Sequence, residues 1–513
     1  MRIFKMATPR YACGIELSSQ GAGIGFLDLS SGGFHPFSFT YQDEFGGRYP
    51  ITGGVIRGGN DVVHVPQTML LEAQDRLFSM APRELLENAV VYKADCMQHA
   101  QRFTRNLAHG LGRMDPAKSI AENLSPYNTR ETVPIWEDRS TRDTEVPYLN
   151  EQVAGFGGMV AMTANPTEPR FPAAQLLRWK KSCPGEYDRT TEIRALSAGV
   201  ASNLAGAVVD TDTGDGWGTN LNTRNITNPG YDRRITDLIA PDLHEKLGGM
   251  IHYDTRVGRL SPYYVKRFGA KPGAVVLAGT GDNPAYLLGF FLSAGTSWTL
   301  NGELPDVAVS NGEDNIFGCK PGRVMSLVCF TNGGRLHEEF RDRYAGKSWE
   351  QYHELGSRAE PWQHLMLPYK YAESVPRKSG GIIREEGFDD GDPGANIRAL
   401  YDSMVASARI HSKHMRLPDT IWVLGGGGKS PILLHSIADA FGRRVKTLAE
   451  YKHAAIFGDC LAGAADALDI SYTDAVGEFA KVLPGAIADP DPANAQQVQA
   501  ALDRYRALEA SAA

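Results

Sequence analysis

The chain is poor in cysteine. Six cysteines are spread over 513 residues, at 13, 96, 183, 319, 329 and 460, and no C-x-x-C occurs. That spacing excludes a disulfide-stapled scaffold and reads as reduced thiols. Cys96 and His99 form a C-x-x-H, half of a zinc pattern with no second half nearby. A long apolar run is also missing: no stretch of about 18 apolar residues occurs, so no membrane-spanning helix is expected. Met1 to Pro9 holds two basic residues but no apolar segment of signal-peptide length, and the expected location is cytoplasmic. Basic charge is not in excess either. The 53 basic and 60 acidic residues give a net charge of −7, which argues against a nucleic-acid partner. No internal repeat of 20–50 residues is evident.

What is present is ordinary globular composition, 42% hydrophobic and 22% charged, enough for a sizeable core. At roughly 150 residues per domain, the length suggests two to four units. Residues 11–30 predict a β-hairpin around a Ser/Gln/Gly turn. A strand is expected near Ala89–Tyr92, and 172–180 predict a helix. Residues 272–300 predict a buried strand (Ala274–Ala278), a Gly-rich turn, a helix (Pro284–Leu292) and, after Gly-Thr-Ser, another strand. Residues 376–394 read as an exposed excursion and 394–416 as a helix. DTIWVL, 419–424, predicts a strand running into GGGGKSP and an amphipathic helix. Strands alternating with helices make this an α/β chain. Gly-rich turns after strands are where such folds hold phosphates, with backbone N–H groups and helix N-termini pointing outward.

Each motif has a plainer reading. Gly425–Ser430, GGGGKS, fails as a Walker A loop because Val423 stands where the first glycine must be. A flat Gly-rich surface for a nucleotide base fits better, a plain strand–helix turn being the alternative. DTDTGDG, 210–216, has Gly214 and Leu221 at ligand positions of a calcium loop, so a turn is expected there. Gly295-Thr296-Ser297-Trp298-Thr299 lacks the last glycine of a nucleophile elbow. Asp282, in Gly279-Thr280-Gly281-Asp282-Asn283, follows a buried strand in a Gly-rich turn. Its carboxylate suits a general base, or equally a cap for a helix beginning at Pro284.

Taken in order, GIELSSQG, PIWEDRST (134–141), AGTGDN (278–283), SAGTS (293–297) and LGGGGKS (424–430) resemble the phosphate, W-x-D, catalytic and adenosine-side segments of the FGGY family of carbohydrate kinases. The likeness runs from about residue 11 to about 470. DCMQHA (95–100), EPRFPAAQLL (168–177), GDGWGTNL (214–221) and CFTNGG (329–334) turn it toward the eukaryotic-type xylulokinases within that family. Glu16 stands where the family carries Asp, and Ser18 and Ser19 replace the commoner Gly-Thr. Ala100 replaces a glycine beside His99, and Pro172 departs from the Arg170 segment.

The resemblance implies two actin-like, ribonuclease-H-like α/β domains with an interdomain active-site cleft. An N-terminal sugar domain would reach to about 280 and a nucleotide domain to about 475, followed by a helical tail, 476–513. It implies transfer of the ATP γ-phosphoryl group to the 5-hydroxyl of D-xylulose with Mg²⁺. Asp282 would be the base, and His99, Arg170, Asp282 and Asn283 would contact sugar. Ser18, Ser19, Gln20, Gly295, Thr296 and Ser297 would hold phosphates. Gly425, Gly426, Gly427 and Lys429 would flank adenosine, with Glu16 on the metal. The expected partners are sugar and ATP, with no nucleic acid or membrane, in a monomer or homodimer. A kinase for another ketose or polyol, and a non-catalytic actin-like nucleotide-binding protein, are the alternatives.

Overall fold

The computed structural model describes residues 10–286, 289–307, 312–320 and 322–512. The hairpin expected at 11–30 forms: Tyr11–Leu17 pairs antiparallel with Gly21–Asp28, Glu16 opposite Gly23, and Phe34–Thr40 adds to the outer edge. On its other side Tyr11–Leu17 pairs in parallel with Ala89–Cys96. Val275–Leu277 and Thr280–Gly281 then pair in parallel with Ala89–Cys96, and Arg256–Arg259 closes that edge antiparallel. A strand buried on both faces reads as a nearly unbroken apolar run, and YACGIEL does so. Helix Gln67–Met80 covers one end of the sheet and helix Leu196–Ala205 lies against its parallel strands.

Glycines weaken strands unless a neighbour needs their space. At Gly14 an added Cβ would sit 2.2 Å from the Ile456 carbonyl oxygen, and at Gly23 2.3 Å from the Ile456 Cδ1. These positions let helix Ala454–Leu468 lie directly on the hairpin. Phe34 meets Phe457 edge-on there, their ring centres 5.1 Å apart.

A second sheet repeats the plan. Phe290–Ala294, Trp298–Glu303 and Val324–Phe330 run antiparallel in succession. The first of these pairs in parallel with Thr420–Leu424, which pairs in parallel with Arg444–Leu448, and Val482–Ala488 closes the edge antiparallel. Helices Pro393–His411, Pro431–Phe441 and Ala495–Ser511 pack together beside it. Ser430 caps Pro431–Phe441, with Pro431 in its first turn and Gly442 at φ +60 ending it.

The chain divides into two compact units. The first takes Met1–Leu287, Ile316–Val324 and Ala455–Phe479; the second takes Leu288–Asn315, Met325–Ala454 and Ala480–Ala513. Three expectations change. The helix expected over Pro284–Leu292 is one turn, Asp282–Ala285, and Phe290–Ala294 is a strand. Gly289, at φ +98, separates them, and a short apolar run such as FFLSA serves either structure. The 376–394 segment contains a strand, Gly381–Arg384, paired with Met366–Tyr369. The tail is not a separate element. Val482–Ala488 is an edge strand of the second sheet, and 455–479 belongs to the first unit. Among the described residues no helix is long and apolar enough to cross a membrane.

Candidate functional site

In the first unit, Tyr11–Leu17 and Ala89–Cys96 run parallel and end in register, Leu17 beside Cys96, while Thr280–Gly281 lies beside Asp95–Cys96. Three segments therefore leave the sheet at one edge: the Ser18–Gln20 turn, Met97–His99 and Asp282–Asn283. Ligands of α/β sheets gather at this carboxyl edge. Ser18 closes the hairpin, its N–H donating to the Gly21 carbonyl at 3.0 Å, and leaves Gln20 exposed.

Asp282 is half-buried, in the first turn of Asp282–Ala285, whose N-cap position is Gly281. Its carboxylate accepts from the N–H and the side-chain amide of Asn283, both at 2.8 Å. Asp282 therefore does not occupy the cap position that the alternative reading gave it. Burial pushes its carboxyl up to about 6, against the stabilising N–H groups of Asn283 and Gln98. Glu16 stands in register with Asp95 on the neighbouring strand. Burial, then the charges of Asp282 and Asp459, push Glu16 up to about 7. Gly279 is needed where it stands, since a Cβ there would meet the Ser197 carbonyl oxygen at 2.3 Å.

The sugar-side segments read from the sequence converge in this unit. Gln98 donates to the Gly214 carbonyl and to Asp215 Oδ1, each at 3.1 Å. His99 Nδ1 lies 2.8 Å from the Gly218 carbonyl, and its ring packs on Phe171 with centres 4.4 Å apart. Burial, reinforced by the nearby Arg170 charge, lowers His99 to about 3. The ring is neutral at neutral pH, and a carbonyl partner makes Nδ1 the donor. Nε2 is thus an acceptor. Half-buried Arg170 follows a segment tied down by Asn220, which accepts from the Glu168 N–H at 3.2 Å and donates to the Pro166 carbonyl at 3.0 Å. In DTDTGDG, Asp212 caps residues 213–216 through the N–H groups of Gly214 and Asp215, a turn and not a calcium loop.

In the second unit, Gly295–Ser297 is the exposed turn between Phe290–Ala294 and Trp298–Glu303. The N–H groups of Gly334 and Arg335, at the start of helix Gly334–Tyr344, donate to the Gly295 and Thr296 carbonyls at 2.9 and 3.1 Å. Gly425, at φ +80, leads from Thr420–Leu424 into the single turn Gly426–Lys429. A Cβ on Gly427 would lie 2.6 Å from that of Ala294, so this loop rests against the Gly295 turn. Lys429 Nζ lies 5.5 Å from the centre of the Tyr451 ring.

The sequence reading missed a set of buried charges in the first unit. Lys93, Asp95 and Asp459 are each 0% exposed. Burial and neighbouring carboxylates raise Asp95 well above the carboxylate range, and burial pushes Asp459 up to about 7. A signal was available: AVVYKADC is a buried strand, and AAIFGDCLAGAA an apolar helix, each interrupted by charge. Buried ionised side chains are rare without partners. Among the described residues no three His, Cys, Asp or Glu side chains are arranged to enclose a metal ion.

Residues 322–467 match the family model described as FGGY family of carbohydrate kinases, C-terminal domain. The chain is 29% identical to mouse xylulose kinase, covering 98% of this chain and 94% of that protein. Among solved structures, ligand-bound xylulose kinase from Lactobacillus acidophilus superposes with a TM-score of 0.77 at 16% identity, over 98% of this chain and 99% of that one. Gluconate kinase from the same organism gives 0.78 at 16% identity and the same coverage. At those identities the structures speak for a shared fold.

Proposed function

We propose that this chain, whose residues 322–467 match the C-terminal domain of the FGGY family of carbohydrate kinases, transfers the γ-phosphoryl group of ATP to the 5-hydroxyl of D-xylulose. The observation that carries the reading is Asp282, a half-buried carboxylate at the carboxyl edge of the first sheet, beside segments that bring His99 and Arg170 toward one another.

Phosphoryl transfer asks a protein mainly for positioning and charge neutralisation. In this reading the first unit holds the sugar. Asp282 takes the proton of the attacking hydroxyl, and Asn283, bonded to it, fixes its orientation. Arg170 donates to sugar hydroxyls and His99 Nε2 accepts from one. The Ser18–Gln20 turn, through the N–H groups of Ser19 and Gln20, and the exposed Gly295–Ser297 turn would each serve phosphate oxygens. Gly425, Gly426, Gly427 and Lys429 flank the adenosine. The oxygen donors at this edge suit Mg²⁺, a hard cation that commonly keeps several waters and phosphate oxygens as ligands. Glu16 would hold it, its carboxylate standing in a field already negative from Asp282 and Asp459. When bound, the ion supplies neutralisation of phosphate charge. A cytoplasmic location goes with this activity.

The test is a coupled ADP-release assay over D-xylulose, ribulose, gluconate, glycerol and sugar alcohols. D-xylulose is expected to give the highest kcat/KM; preference for another acceptor moves the assignment to that substrate. A base must be ionised to act. With Asp282 raised to about 6, kcat/KM should fall as pH drops through about 6 and level off above it. An acid limb near 4, the unshifted value for Asp, would count against Asp282.

His99 and Arg170 serve the sugar alone in this reading. Replacing either by alanine should raise KM for D-xylulose about tenfold, since one lost hydrogen bond to a buried partner is worth ~1–3 kcal/mol. KM for ATP should stay within about twofold of wild type. Equal rises for both substrates would mark the two residues as supports of the fold.

A further inference from the structure

Lysine is almost never fully buried unless paired, yet Lys93 lies in the middle of Ala89–Cys96 at 0% exposure. Its ammonium donates to the Ala278 carbonyl at 2.7 Å and the Tyr253 carbonyl at 2.9 Å, and stands 3.9 Å from the centre of the Tyr253 ring. Burial works against its charge, while Asp459, Asp212, Asp254 and Asp95 favour it. A well-packed apolar side chain is commonly no less stabilising than a buried charge. Stability alone therefore gives little reason for an ammonium here.

Its partner gives a better one. Ala278 opens the turn that carries Asp282, and both of its backbone groups are held: its N–H donates to the Thr255 carbonyl at 2.8 Å, and its C=O accepts from Lys93. Gly279 follows, pressed against the Ser197 carbonyl, and Thr280 pairs with Asp95. The turn thus leaves the sheet from a fixed point, and Lys93 fixes one of its two backbone bonds.

We propose that Lys93 is a positioning residue for phosphoryl transfer, its buried ammonium anchoring the Ala278 carbonyl and so setting the aim of the Asp282 carboxylate. The role in transfer rests on the base assigned above. Misplacement of a reacting group by about 1 Å costs on the order of 10²-fold in rate, whereas substrate contacts made elsewhere are untouched.

The experiment uses Lys93→Met, which keeps bulk without a donor, and Lys93→Gln, which keeps an N–H donor. Lys93→Met should lose about 10²-fold in kcat, with KM for sugar and for ATP both within about threefold of wild type. Lys93→Gln should retain more of kcat. Amide hydrogen exchange over 276–286, measured without substrates, should quicken in Lys93→Met at residues 278–283. Wild-type kcat in a folded Lys93→Met protein, or a rise in KM that accounts for the whole loss, overturns the proposal. So does unchanged exchange. The exchange measurement tests the anchor even if the wild type phosphorylates none of the sugars offered, which would be failure of the functional reading instead. If Lys93→Met does not fold, Lys93→Leu, which also lacks a donor, carries the same comparisons, and wild-type values in every one of them overturn the proposal.

Discussion

Asp282→Asn is expected to give a folded protein that binds ATP and sugar and has lost ~10²–10⁴-fold in kcat, the range set by a general base. Asparagine matches the size of aspartate and can still accept from the Asn283 N–H, so the bond at 2.8 Å is kept. It cannot take the hydroxyl proton as the bond to phosphorus forms. An interaction made only in the transition state shows in kcat, with KM little changed. The structure removes one alternative in advance, because Gly281 occupies the N-cap position of this turn. Steady-state kinetics on protein with a wild-type unfolding profile checks the prediction. A kcat within about threefold of wild type would take the base role from Asp282.

Gly14→Ala should cause the larger loss of stability. The new methyl would lie 2.2 Å from the Ile456 carbonyl oxygen and 3.0 Å from the Asp459 Cβ. The first obstacle is backbone and has no rotamer to change, so the hairpin and helix Ala454–Leu468 must separate. Overpacking usually costs ~1–3 kcal/mol and occasionally more; a backbone obstacle puts this site at or above the top of that range. Chemical unfolding should show the drop. Gly477→Ala provides the comparison: no atom lies within 4 Å of the added methyl, and the site is in helix Tyr472–Phe479. That change should be neutral or stabilise by up to ~1 kcal/mol. Equal stability of the Gly14→Ala and wild-type proteins would mean that the helix yields at little cost.

Local patterns carried much of the architecture. The hairpin, the strand into GGGGKSP and the helix after Pro431 are each written in a few consecutive residues: alternation, a glycine where φ is positive, a proline at a helix start. The helix expected over Pro284–Leu292 gives way to a strand at Phe290–Ala294 because FFLSA has no period of its own, and its pairing with Trp298–Glu303 and Thr420–Leu424 decides the matter. Val482–Ala488 likewise gets its identity from Arg444–Leu448. In the candidate site, Asp282 was legible because it interrupts a glycine-rich turn. Lys93, Asp95 and Asp459 were not, because their meaning lies in contacts between distant segments, 160 and 185 residues away for the carbonyls that Lys93 holds. His99 was named, but its polarity depends on the Gly218 carbonyl, which no local pattern specifies.

Helix Ala454–Leu468 also sets an order of events in time. The strand whose Gly14 receives it is made first, and roughly 440 residues must leave the ribosome before the helix exists. At ~5–20 residues per second that is roughly 20–90 s. For that interval the nascent hairpin carries an open glycine face with Ala12 and Leu27 on it, paired side chains that are 0% exposed in the finished protein. The first unit to be translated is therefore completed among the last, and a messenger truncated anywhere before codon 454 yields a chain whose earliest-made sheet has no cover on that face.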